Sequence, residues 1–344
     1  MINSYTFFDS DVNKLNNFVL AFFNRIEFET GDFSTTFFET EFYENLVKRH
    51  KGILLKTFKE IYAITRTWKQ AKRTALCDSI RASNKIEQVC KGDIKPSKAI
   101  DIPNDIQEPL ITLFKKLYSD VLFGKFFEPH YGSRKSHYHT FRKHANNEYP
   151  ICPACGIWPM HTSVDDITDQ YDHYLPKDTY PFSSVNFQNL VPICRDCNSI
   201  EVKSNDDILL HTGKAFYPFD SKHQPIKFKT KISKNAPDIK DIEWSIDYVC
   251  EKGKEDELSA WKAIYKIEKR HKDHVKGSFH SWHKSYWDFF HDKESIADEP
   301  DENRRTKTYL RARKSSPFES QSLAEFLVKE SKKAMTLAKV TSRY

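Results

Sequence analysis

Between residues 152 and 198 the chain concentrates the residue types that do chemistry. Cys152-Pro-Ala-Cys155 and Cys194-Arg-Asp-Cys197 are two C-x-x-C pairs 38 residues apart; Asp172-His173 and Asn189 lie between them and Asn198 directly after. A C-x-x-C knuckle folds two sulfurs toward one point, so two knuckles supply the four thiolates of a tetrahedral Zn²⁺ site. Cys77, Cys90 and Cys250 bring the total to seven, an odd count that argues for a reducing compartment and a metal over a disulfide framework. The gap is longer than a simple zinc ribbon's and leaves room for an insertion with a task. A carboxylate beside an imidazole serves hydrolysis if Asp172 holds a divalent cation and a neutral His173 takes a proton from water. On a regular strand such neighbours face opposite sides, so the backbone must bend there, and Pro176 fits a departure from strand geometry. Asn198, at the start of an expected helix, offers a further oxygen ligand.

Taken in order, these residues resemble the HNH endonuclease family. The resemblance implies an α+β fold: a ββα-metal core with one catalytic divalent ion, braced by a separate four-cysteine zinc. It implies His173 as general base, Asp172 as acidic metal ligand, Asn189 as the residue that stiffens the loop and orients the base, and Asn198 as second metal ligand. Asn198 stands where the pattern often has His, which suits the oxygen-loving Mg²⁺ or Mn²⁺. The resemblance covers roughly residues 150 to 210. The wording Asp172-His-Tyr-Leu-Pro-Lys177, Tyr180-Pro181, Asn189-Leu-Val-Pro and Cys197-Asn198 is similar to HNH nucleases of bacterial phage-defence systems, Septu-type and Zorya-type among them, whose nucleases often act beside an ATPase.

The implied reaction is metal-assisted hydrolysis of a DNA phosphodiester, leaving 5′-phosphate and 3′-hydroxyl ends. Lys203, Arg195 and Lys177 are the candidate phosphate contacts. The competing hypothesis is a four-cysteine zinc module that binds nucleic acid or a protein partner without cutting, and Asp172-His173 is what such a module does not need. His130, His137, His139 and His144 lack a nearby Cys or carboxylate cluster and read as surface.

These residues need elements to position them. Leu54, Phe58, Ile61, Tyr62 and Trp68 recur at helical spacing among lysines and arginines, and a further helix fits Leu110 to Val121, with Asp105 as N-cap and Gly124 near its end. Residues 1–147 thus form a helical targeting or partner-docking region, followed by a zinc-braced domain over 148–220. In 221–344, Ile226 to Ile232 and Ile242 to Tyr248 alternate as strands, the first with Lys227, Lys229 and Lys231 on one face. Phe279, Trp282, Tyr286 and Phe289 mark an aromatic-rich helix whose stripe reads as core. Asn303 to Ser316 reads as a basic linker, before a last amphipathic helix near Leu323 to Met335.

Charge is segregated along the chain. Residues 1–47 hold two basic and eight acidic groups, residues 48–75 nine basic against one acidic, and residues 301–344 eleven against five, within a net charge of +6. The basic runs are candidate grips for a sugar-phosphate backbone. Only nine glycines occur in 344 residues, and the closest pair, Gly124 and Gly132, lies eight apart. Dinucleotide-fingerprint, P-loop and nucleophile-elbow motifs are thereby excluded. Mean hydropathy is −0.67, and the apolar run Phe18 to Phe23 is too short to span a bilayer and lacks a basic region before it. The expectation is a cytoplasmic protein with no membrane partner.

Overall fold

A computed structural model of the chain describes residues 1–145, 147–313 and 315–331; Met335, expected in the last helix, lies outside them. The chain divides into two units. The first comprises Met1–Pro225 together with Lys252–Tyr265, and the second comprises Ile226–Glu251 and the chain from Lys266 on. The helical N-terminal region and the cysteine-bearing segment therefore share one unit, and the helix Glu255–Ile264 returns to it.

The core of the first unit is aromatic because its helices present phenylalanines at i, i+3 and i+4. Helix Lys14–Ile26 buries Leu15, Phe18, Val19, Phe22, Phe23 and Ile26. Phe22 packs on Phe58 of helix Lys56–Thr65 (ring centroids 4.4 Å apart), and Phe18 stacks on Phe42 at 5.2 Å. Helix Asn104–Lys116 adds Leu110, Leu113 and Phe114. Asp105 lies inside its first turn and does not cap it; the carboxylate accepts from Trp68 Nε1 (2.8 Å) and Lys72 Nζ (2.9 Å). The same core takes in Tyr171, Phe182, Val185, Phe187 and Leu190 from the insertion between the knuckles.

The basic run Lys48 to Arg73 is broken by turns, and its charges are partly answered by the acidic stretch before it. Lys48 pairs with Glu44, Arg66 with Asp32 and Lys72 with Asp105, while Arg73 is buried and donates to the Glu29 carbonyl.

Among the described residues the strands form two antiparallel pairs. β1 (Gln170–His173) pairs with β2 (Leu190–Ile193), Asp172 opposite Val191 and His173 opposite Leu190. β3 (Lys227–Lys234) pairs with β4 (Glu243–Val249) in the second unit. The alternation read from sequence holds: Lys227, Lys229 and Lys231 are exposed, while Thr230 and Ile232 are buried. Lys231 pairs with Asp247 across the strands. The stripe on helix Ile267–His291 supplies core, with Phe279 against Trp244 at 4.8 Å and Tyr286 against Tyr309 at 5.4 Å. The expected linker is instead the helix Glu302–Ala312, which buries Arg305, Thr306, Tyr309 and Leu310 on one face. The last helix among the described residues is Pro317–Ser331. No helix among the described residues is long and apolar enough to cross a membrane.

Candidate active site and cysteine cluster

The first knuckle closes as its spacing requires. Gly156 N–H donates to Cys152 O at 2.7 Å, and Gly156 has φ +67°. That positive φ favours glycine, and a Cβ there would lie 2.4 Å from Ile2 Cδ1, so the Ile2 side chain would have to move. The second knuckle leaves the end of β2, and Asn198 N–H returns to Cys194 O at 3.2 Å. All four sulfurs are buried and lie within 4.8 Å of one another, with Cys155 and Cys194 sulfurs 3.9 Å apart. A tetrahedral zinc with bonds of about 2.3 Å needs sulfurs about 3.8 Å apart, so the set fits the ion after a small contraction. Cys194 N–H also points at Cys152 Sγ, 3.4 Å away, the contact that stabilises a thiolate. Burial pushes the Cys152 and Cys197 thiols up, while hydrogen bonds from its neighbours pull Cys155 down. Four thiolates here need a divalent cation to balance them. Trp261, on the helix that returns from beyond β4, donates its indole N–H to Ala154 O at 2.7 Å and braces the knuckle. Spacing alone gave no sign of it, since the two residues are 107 apart.

β1 and β2 carry the other candidates into one cleft of about 250 Å³, lined by Asp172, His173, Lys177 and Asn198. His173 ends its strand and Asp172 is the buried residue before it. The His173 ring meets Tyr118 edge-on at 4.3 Å. Its Nε2 lies 2.9 Å from the Ser184 carbonyl, which can only accept, so Nε2 carries the proton and Nδ1 keeps a lone pair with no partner among the described residues. Burial first, then the nearby Lys177 and Lys203, push the imidazole down to about 3, against the Ser184 contact. It is neutral at physiological pH.

Asp172 Oδ1 accepts from Lys203 Nζ at 3.0 Å, whereas Oδ2 is buried without a hydrogen-bond partner among the described residues. Burial raises the carboxyl's pKa and Lys203 opposes the rise. An orphaned carboxylate oxygen in a polar cleft fits a cation ligand. Asn198 Nδ2 donates to Gln170 Oε1 at 2.9 Å, leaving its own amide oxygen as an acceptor.

Asn189 is fully buried and holds the loop that follows His173. Its Oδ1 accepts from Leu175 N at 2.7 Å, and its Nδ2 donates to Leu175 O at 3.0 Å and to Ser183 O and Oγ at 3.3 Å. One amide thus ties both ends of the connection between β1 and β2.

Other expectations are corrected. The segment after Cys197 forms successive turns through Asn205, with Ser204 at φ +45°, where a helix was expected. Lys203, expected to meet phosphate, is fully buried and committed to Asp172 and the His173 carbonyl (2.8 Å). Arg195 is exposed and outside the cleft. Arg134, which opens helix Arg134–Lys143, lines the cleft beside Lys177 and supplies a cation that no motif announced. His137 is buried against Tyr171 (Nδ1 to hydroxyl, 2.6 Å), and His139 Nε2 meets Asp165 O at 3.0 Å. Among the described residues the four cysteines form the one cluster of three or more His, Cys, Asp or Glu side chains.

No protein-family model, no curated protein and no solved structure matches the chain.

Proposed function

We propose that the chain is a metal-dependent endonuclease of the HNH type. The observation that carries the proposal is the meeting, in one cleft, of Asp172 Oδ2 and His173 Nδ1, neither with a hydrogen-bond partner among the described residues, on a strand pair that runs into a cysteine knuckle. Cys152, Cys155, Cys194 and Cys197 would hold a structural zinc. Asp172 and Asn198 would hold Mg²⁺ or Mn²⁺, which supplies Lewis-acid activation of the phosphate and charge balance at the departing 3′ oxygen.

His173 takes a proton from water at Nδ1, because Ser184 fixes the opposite nitrogen as the donor. The activated water attacks phosphorus in line, the bond to the 3′ oxygen breaks, and that oxygen takes a proton from solvent. A neutral imidazole is available at physiological pH, and the phosphate's negative charge raises its affinity for the proton when substrate is bound. Lys177 and Arg134 on the cleft face the phosphate; Asn189 keeps the His173 loop in place. The biological setting proposed is phage defence beside an ATPase partner, and it rests on the motif wording alone.

A zinc module that binds without cutting is favoured by two features: Lys203 already neutralises Asp172, and turns replace the helix after the second knuckle. Incubating purified chain with supercoiled plasmid separates the two. Nicking with Mg²⁺ or Mn²⁺ that EDTA stops, and that is lost in His173→Ala, supports the nuclease; equal inertness of both proteins under every metal supports the module.

A further inference from the structure

A second cleft in the same unit, about 320 Å³, is lined mostly by side-chain amides: Asn13, Asn16, Asn17, Asn84, Asn186 and Gln188. Two of them are more than nine-tenths buried and yet incomplete. Asn16 Oδ1 and Asn13 Oδ1 are buried without a hydrogen-bond partner among the described residues. The two residues are three apart at the start of helix Lys14–Ile26, so they share a face. Exposed Asn17 and half-buried Leu20 continue that face along the cleft, opposite the side that buries Phe18. An amide kept there without a partner is unfavourable unless something completes it.

The neighbouring amides are already arranged. Asn186 Nδ2 donates to Asn84 O and Oδ1, both at 3.0 Å, and its Oδ1 accepts from Gln188 N at 2.9 Å. Asn13 Nδ2 is fixed on Asp9 Oδ1 at 2.7 Å. Phe7 and Phe187 form apolar walls. No lysine or arginine lines the cleft and one carboxylate does, which disfavours an anion. The complement is a neutral, flat ligand that both donates and accepts along its edge.

We infer that this cleft is a nucleobase subsite. Side-chain amides match base edges with paired donors and acceptors, and a base leaving its stack is held between hydrogen bonds on its edge and apolar walls. The subsite deepens the endonuclease proposal. Gln188 of this cleft, in the turn before β2, and Leu190 of the Asp172–His173 cleft, at the first position of β2, are two residues apart, at most about 7 Å of extended chain. The base read would belong to a nucleotide near the scissile phosphate.

The test uses the full chain, neutral nucleosides without phosphate (adenosine, guanosine, cytidine, thymidine), glucose as a control and a short single-stranded oligonucleotide, with binding followed by calorimetry. At least one nucleoside should bind more tightly than about 1 mM, glucose should not, and an oligonucleotide carrying that base should compete. Asn16→Leu should weaken nucleoside binding by about tenfold or more, with metal content and melting temperature retained. If Asn16→Leu does not fold, the half-buried Gln188→Ala takes its place. No nucleoside binding, equal binding of glucose, or wild-type affinity in the folded variant overturns the inference. His173→Ala must bind nucleosides normally. A wild-type chain that binds nucleosides but cuts nothing would sink the nuclease proposal alone, and one that cuts but binds none would sink the subsite alone.

Discussion

Lys203 Nζ lies 3.0 Å from Asp172 Oδ1 and 2.8 Å from the His173 carbonyl, with both charged side chains buried and 31 positions apart. One ammonium therefore fixes the carboxylate and the peptide of the neighbouring imidazole, and leaves Asp172 Oδ2 buried with no hydrogen-bond partner among the described residues.

A buried pair is costly to halve. Lys203→Met should destabilise the chain by about 3–5 kcal/mol, because it strands a buried carboxylate. Adding Asp172→Asn to Lys203→Met should recover part of that loss. Urea denaturation of the two single variants and the double variant measures it. A Lys203→Met protein within about 1 kcal/mol of wild type would mean that Asp172 is hydrated and the pair contributes little.

Metal analysis should find about one zinc per chain, tightly held. Cys194→Ala with Cys197→Ala should lose it and loosen the first unit, since β2 ends at Ile193, directly before Cys194, and Trp261 clamps the other knuckle. Zinc at full occupancy in that double variant would place the ion elsewhere.

Much of this was legible because it is local. Two C-x-x-C knuckles fix their own sulfurs, and the alternation of β3 and β4 reports one buried face, as observed for Thr230 and Ile232. What escaped was set by distant partners. Lys203 reads from sequence as a phosphate contact because its carboxylate partner lies 31 positions away in β1. Trp261 reaches the knuckle only because the chain leaves the first unit and returns. Helix Glu302–Ala312 hid behind its charges, though Arg305, Thr306, Tyr309 and Leu310 already sat at helical spacing. The amides of the second cleft carry no motif, being drawn together from the first helix and the connection before β2.

His137 gives the fold an acid sensitivity. It is buried, its Nε2 has no partner among the described residues, and desolvation pushes the imidazole down from 6.5 to about 4. With the folded pKa below the unfolded one, the unfolded chain takes up the proton first as pH falls. Stability at pH 7 is untouched by this residue and is lost progressively between about 6.5 and about 4, by at most about 3 kcal/mol. Urea midpoints across that window should fall for wild type and fall less for His137→Phe. Parallel profiles for the two would assign the acid sensitivity to other groups.

The two cleft residues should fail differently. His173→Ala should cut plasmid about 10²–10⁴-fold more slowly, with zinc content and fold retained. Asp172→Ala should be comparably slow through loss of the cation, so raised Mg²⁺ should recover part of its activity and none of that of His173→Ala. Identical Mg²⁺ responses in the two variants would remove Asp172 from the ligand set.

Asn189 acts through the loop and not on the reacting atoms. Its side chain accepts from Leu175 N and donates to Leu175 O and to Ser183, all buried. Asn189→Ala therefore leaves a buried N–H and a carbonyl unpaired, at about 1–3 kcal/mol for each group that finds no substitute. Because Ser183 precedes the carbonyl that orients His173, the loss of stability should come with a fall in kcat, while KM for plasmid stays near wild type. Asn189→Asp keeps the acceptor for Leu175 N but turns a buried carboxylate oxygen toward the Leu175 and Ser183 carbonyls, so it should be less stable than Ala and also lower in kcat than wild type. A purely structural Asn189 predicts otherwise. It would give Ala and Asp variants that are less stable yet turn over at the wild-type rate below their melting temperatures, and that result would separate loop bracing from base positioning.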